Sequence, residues 1–246
     1  MTTCPMCGSN VPLLKSGCHV IPRAFLKRTK ESGKNVRWDF RENRIAINQV
    51  DEKGDFWCGQ CESTSAELDR YGADVLLHRT EGTWKTNRNS TRPIHWLSDL
   101  DYRKFRSFVL SIPIRDHLLR KITGSDLVLT DACFSALRED YCHRTDSLGV
   151  ICHFLAPEDP LSGNVFGPVA TKTGNGTNFQ LFNFSFMVCF EIDPSVRPLL
   201  LSPDGRIPLV ELHHTELGAY SGLDESYSMI FDRQENQDSL ARIRKK

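Results

Sequence analysis

With 246 residues, 39% of them hydrophobic and 25% charged, the chain is long enough for one large domain, or for one domain with a small added module. Its formal net charge is +0, which excludes a molecule-wide attraction for nucleic acid and leaves any basic surface local. No apolar run approaches the roughly 20 residues of a membrane helix, and Met1-Thr2-Thr3-Cys4 lacks the basic and apolar start of a secretory leader, so a soluble, cytoplasmic chain is expected.

In chain order, the first feature is "CPMCG", a C-x-x-C pair at Cys4 and Cys7. "CHVIPRAFLK" follows, carrying Cys18, His19 and a basic segment with Arg23, Lys27 and Arg28. "KNVRWDFRENRIAINQV" reads as one or two short strands, with Trp38, Phe40, Ile45 and Ile47 in partial alternation and Arg41-Glu42-Asn43 as a turn. A second pair, Cys58-Gly59-Gln60-Cys61, leads into "STSAELDRYGADVLLH", which reads as a helix with Ser63, Thr64 or Ser65 as its N-cap. Residues 80–93 read as a polar loop.

"LSDLDYRKFRSFVLSIPIRDHLLRKIT" is strongly helical, its apolar residues falling at three- and four-residue steps, and Pro113 is expected to kink or divide it. "RKFR", residues 103–106, reads as a solvated helix face. Gly124 should stop the helix, and Ser125 or Asp126 should cap another that runs to about Tyr141. From residue 148 the composition shifts to Val, Ile and Phe. "LGVICHFLA", "NVFGPVATK", "NFQLFNFSFMVCFEI" and "RIPLVEL" read as strands of an antiparallel sheet, and "TKTGNGTN" as a hairpin connection. Alternation places Phe182, Phe184 and Phe186 on one buried face.

The thiols carry the most specific chemistry. Of nine cysteines, four form the two C-x-x-C pairs; in a reducing compartment this grouping points to a metal more than to disulfides. A tetrahedral zinc ion needs four soft ligands, and two knuckles supply them: Cys4, Cys7, Cys58 and Cys61. So small a region cannot build a large core, so bound Zn²⁺ would supply folding energy.

The order C-x-x-C, then His-Val-Ile-Pro-Arg-x-Phe-Leu, then C-x-x-C-Glu and a helix, resembles the zinc-bound HNH endonucleases of the ββα-metal fold. "FVLSIPIRDHL" resembles the trailing helical region of one variant of that family. The resemblance implies a hairpin clamped to a helix by two knuckles, with His19 as the general base and Glu62 as an oxygen ligand for a catalytic Mg²⁺ or Mn²⁺. Arg23, Lys27 and Arg28 would hold phosphates. The chain departs from the family pattern at Cys18, where an acid is common, and lacks the usual asparagine before the second knuckle; Asp55 is a substitute ligand to consider. Cys18 reads either as a buried small residue or as a metal contact.

The fold class expected is α+β. A zinc-clamped ββα-metal module, HNH-like and of treble-clef type, occupies residues 1–79, followed by a helical segment with an antiparallel sheet over 80–222 and a polar tail over 223–246. The resemblance implies a metal-dependent endonuclease cleaving DNA or RNA, in a setting of bacterial defence or toxicity. The alternative is a non-catalytic, zinc-stabilised adaptor that binds nucleic acid or protein. The C-terminal region is the place for a protein partner or a second copy of the chain.

Overall fold

The computed structural model describes residues 1–31, 52–79, 94–156, 158–159, 162–171 and 174–213, with the backbone of two short strands at 37–39 and 44–46. The polar loop expected at 80–93, the tail after 222 and the side chains of Trp38, Phe40, Ile45 and Ile47 lie outside the described residues.

The N-terminal region is built from very short elements. Strands β1 (Thr2–Thr3) and β2 (Asn10–Val11) pair antiparallel around the first knuckle. Strand β3 (Cys18–His19) is followed by Val20-Ile21-Pro22 and then by helix α1 (Arg23–Glu31). Phe25, Leu26 and Thr29 are buried on one side of α1, while Arg23, Ala24, Lys27 and Arg28 are exposed on the other, as a three- and four-residue period requires. Where one or two short strands were expected there are two, β4 (Arg37–Asp39) and β5 (Arg44–Ala46), and they pair antiparallel. Strand β6 (Lys53–Gly54) returns to β3, placing His19 opposite Lys53.

Helix α2 (Gly59–Ala73) begins inside the second knuckle, earlier than expected, and continues through one π-type turn at Asp74–His78. The Ser63 and Thr64 hydroxyls do not cap it. They donate back to the carbonyls of Gly59 and Gln60, at 3.0 and 3.2 Å, because the knuckle has already started the helix.

Strand β7 (Ile94–Leu97) ends at the residue where the predicted helix was to begin, and α3 (Tyr102–Thr123) starts only at Tyr102. Asp101 caps α3 by accepting the Lys104 N–H at 3.1 Å, and Gly124 ends it at φ 66°. Pro113 sits inside α3 without dividing it. Gly72 of α2 is required for the packing of the two helices: a Cβ there would meet the Phe108 ring at 2.6 Å.

Helix α4 (Asp131–His143) is capped by Thr130, which accepts the Cys133 N–H, and not by Ser125 or Asp126. The basic run at 103–106 is only half solvated. Arg106 is buried and forks onto Asp140 of α4, and its Nη2 also donates to the Leu148 carbonyl at 2.6 Å.

The C-terminal half is a six-stranded sheet in the order β7-β12-β8-β11-β10-β9. Its later strands are β8 (Gly149–Leu155), β9 (Asn164–Ala170), β10 (Gly176–Phe182), β11 (Phe184–Cys189) and β12 (Ile207–Leu212). The sheet is mixed where an antiparallel one was expected. β8 to β11 pair antiparallel, but β12 returns past a short 3₁₀ segment (Pro194–Leu199) and lies parallel to β8.

A second correction concerns "NFQLFNFSF", which is two strands joined by a tight turn. Leu181 pairs with Phe184, leaving Phe182 and Asn183 as the turn, with Phe182 at φ 60°. Phe184 and Phe186 share one buried face, but Phe182 does not join them; it is half-exposed at the end of β10. Phe186 packs on Phe179 at 5.3 Å and on Phe105 of α3 at 6.2 Å, so this face of the sheet meets the helical layer. Buried apolar contacts run without a break from Cys4 to Leu209.

Candidate metal centre and adjoining cleft

Each knuckle is shaped by its backbone. In the first, Gly8 takes φ 75° and its N–H donates to the Cys4 carbonyl at 2.8 Å, while the Cys4 N–H donates to Ser9 at 2.9 Å. In the second, Cys58 is the N-cap of α2 and Cys61 lies in the helix's first turn. The Cys58 N–H points at Cys4 Sγ, 3.3 Å away.

All four Sγ atoms lie within 4.8 Å of one another. Cys4 and Cys61 are 3.9 Å apart, and Cys7 and Cys58 are 3.8 Å apart. Zinc–sulfur bonds of about 2.3 Å in a tetrahedron require edges of about 3.8 Å, so the cluster has the dimensions of a Zn²⁺ site. The Cys7 thiol is lowered to about 6, chiefly by the Ser9 hydroxyl, whereas burial and the neighbouring thiols push Cys61 upward. Adjacent sulfurs thus oppose one another's ionisation, and a dication would remove the conflict. The centre is also tied to α4, because Arg138 Nε donates to the Met6 carbonyl inside the first knuckle at 2.7 Å.

Beside the cysteines is a cleft of about 540 Å³ between the start of α1 and one face of α2. His19 reaches it from the end of β3, Glu62 from the first turn of α2 and Arg23 from the start of α1. Asp69, Arg70, Asp74 and His78 line its far end. The structure therefore brings three of the sequence-predicted residues to one place. Lys27 and Arg28 do not line the cleft; they are exposed further along α1.

Glu62 is held in place, since its Oε2 accepts the Trp57 indole N–H at 2.7 Å. Cys18 is buried, donates to the Lys15 carbonyl at 3.2 Å and is pushed up to about 12 by burial and by the Glu62 carboxylate. It is a neutral thiol, which favours the buried-residue reading over a metal contact. Asp55 accepts the Gly17 N–H at 3.0 Å and so serves the turn before β3. Among the described residues, only the four knuckle cysteines form a group of three or more His, Cys, Asp or Glu side chains within reach of one metal ion.

The residue that sequence reading missed is Arg115 of α3. It is 1% exposed and forks onto Asp69, with its Nη1 at 2.9 Å from Oδ2. The same guanidinium donates to the hydroxyls of Ser65 and Ser111. The available signal was its setting in "SIPIRDHL", a charged residue inside an otherwise apolar helical stripe.

No family model matches the chain, and neither does any curated protein or solved structure. No described helix is long and apolar enough to cross a membrane.

Proposed function

We propose that the chain is a metal-dependent endonuclease of HNH type, with Zn²⁺ in the four-cysteine centre and phosphodiester cleavage in the adjoining cleft. The observation that carries this reading is the convergence of His19 and Glu62 on one cleft with Arg23, beside the cysteine centre. His19 would take a proton from the attacking water. Arg23 would fix the phosphate at the mouth.

Glu62 accepts the Trp57 indole N–H through Oε2, and its other carboxylate oxygen would be the one to meet a cation. Mg²⁺ suits so sparse a donor set, because it is often bound through one or two carboxylates, water and the substrate's own phosphate. Bound there, Mg²⁺ or Mn²⁺ would stabilise charge on the phosphate and the leaving oxygen. The resemblance places such an enzyme in bacterial defence or toxicity. Cleavage of plasmid DNA and of RNA by the wild type and His19→Ala, across divalent metals, tests the proposal.

The second reading, a zinc-stabilised adaptor, is favoured by the Trp57–Glu62 hydrogen bond and by the neutral Cys18 where an acid would serve a cation. Wild-type protein that carries zinc but cleaves neither nucleic acid with any divalent metal would establish the adaptor reading over the nuclease.

A further inference from the structure

We infer that Arg115 is a positioning residue that sets His19 and Glu62 together, making α3, outside the cysteine module, a working part of the cleft. The catalytic half of this inference rests on the nuclease reading above; the geometric half does not.

Two arms leave the guanidinium. On one side, Nη1 reaches the carbonyls of His19 and Val20, at 3.4 and 3.5 Å, and so addresses the main chain that carries the imidazole. These bonds are long, and the strong anchors are Asp69, Ser65 and Ser111, which fix the fork on α2 and on α3 itself. On the other side, the guanidinium lies over the Trp57 ring at 5.3 Å, and the indole N–H of Trp57 holds Glu62. One buried cation thus anchors the α2 face below the cleft, packs on the indole that orients the carboxylate and reaches the end of β3.

Stability alone explains the arrangement poorly. A buried ion pair often contributes no more than well-packed apolar residues of the same volume. Arg115 Nε, moreover, is buried with no hydrogen-bond partner among the described residues. An arginine kept under those conditions is explained by the geometry it imposes. The four N–H groups of Nη1 and Nη2 can grip a carboxylate with two of them and share the others among the hydroxyls and carbonyls around it, a planar geometry that a lysine ammonium with three donors cannot reproduce.

The test uses two full-length variants, Arg115→Lys and the pair Arg115→Met with Asp69→Asn. Arg115→Lys keeps the buried charge, and the pair removes both charges without stranding either. Four properties are read: zinc content, thermal stability, the NMR signals of the Trp57 indole N–H and the His19 ring, and kcat against KM for cleavage.

The expected result is wild-type zinc content and near wild-type melting for Arg115→Lys, with both NMR signals displaced. kcat should fall on the order of 10- to 100-fold while KM stays within about twofold, as small misplacements of reacting groups produce. The charge-free pair should shift the same signals. Unmoved signals in both variants would overturn the inference and leave Arg115 a core brace. Moved signals with a wild type that cleaves nothing would keep the positioning role and overturn the nuclease reading.

Discussion

The knuckle end and the six-stranded sheet both bury apolar side chains, but different forces hold them. Around the cysteines the strands are two residues long, too short to fix a register by pairing alone. Beyond the buried Phe25, Phe56 and Trp57, order there would come, on the reading proposed above, from four thiols on one metal and from Arg115 beneath it. In the sheet the strands run six or seven residues at its middle, and Phe179, Phe184 and Phe186 pack ring against ring. Where a region is small, a few strong directional bonds replace area; where it is large, area suffices and no single bond is decisive.

The largest effect should come from the metal. Cys58→Ser, or a strong chelator, should remove about one zinc per chain and unfold residues 1–79, since structural zinc sites contribute on the order of 10 kcal/mol of folding energy. Amide exchange should show protection lost at β3, β6 and α2 and retained in β8, β10 and β11. A metal-free preparation with unchanged exchange would break the comparison at its root.

Next in size is His19→Ala, which should lower cleavage by a factor on the order of 10² to 10⁴ while zinc content and melting stay near wild type. A folding defect in this variant would mean that His19 belongs to the scaffold. Third, Phe186→Ala should cost the sheet about 3 to 5 kcal/mol by leaving a cavity against Phe105 and Phe179. Denaturant titration measures that loss, and zinc analysis should show the metal retained.

The smallest effect is a pH dependence confined to the sheet. His153 on β8 is buried, and burial lowers it to about 4 from 6.5. Its folded value lies below its unfolded one, so its contribution to stability is complete above pH 6.5 and is lost as pH falls through about 4. That loss amounts to about 3 kcal/mol at most. His153→Gln should flatten this part of the stability–pH curve; the same slope in wild type and variant would assign the dependence elsewhere.

The metal centre was legible because its signal is local. Two residues between cysteines form a knuckle in almost any setting, and two knuckles fill a tetrahedron. That His19 and Glu62 share one cleft was anticipated through the resemblance, which sets both beside the cysteines; the roles given to them belong to the proposal. Arg115 was not legible, because its partners other than Ser111 lie 46 to 96 positions away and nothing near it in sequence names them.

The same limit applies to the sheet. β8, β9 and β12 were visible as runs of Val, Ile and Phe, but the direction of β12 depends on a crossover that no short-range signal records. The turn at Phe182 was hidden for another reason. An aromatic residue at positive φ is rare, and the alternation of phenylalanines on both sides reads as one uninterrupted strand.

The pairing of β3 with β6 has a consequence for how this architecture can vary. Their contact closes a loop at His19 and Lys53, and the four thiols, brought together across 51 and 57 positions, would close it a second time just outside once they share a metal. Once both ends are clasped, the length of chain between them matters little: doubling such a loop costs only about 0.6 kcal/mol. The closure at β3 and β6 is therefore set by the clasp and only weakly by the number of residues it encloses.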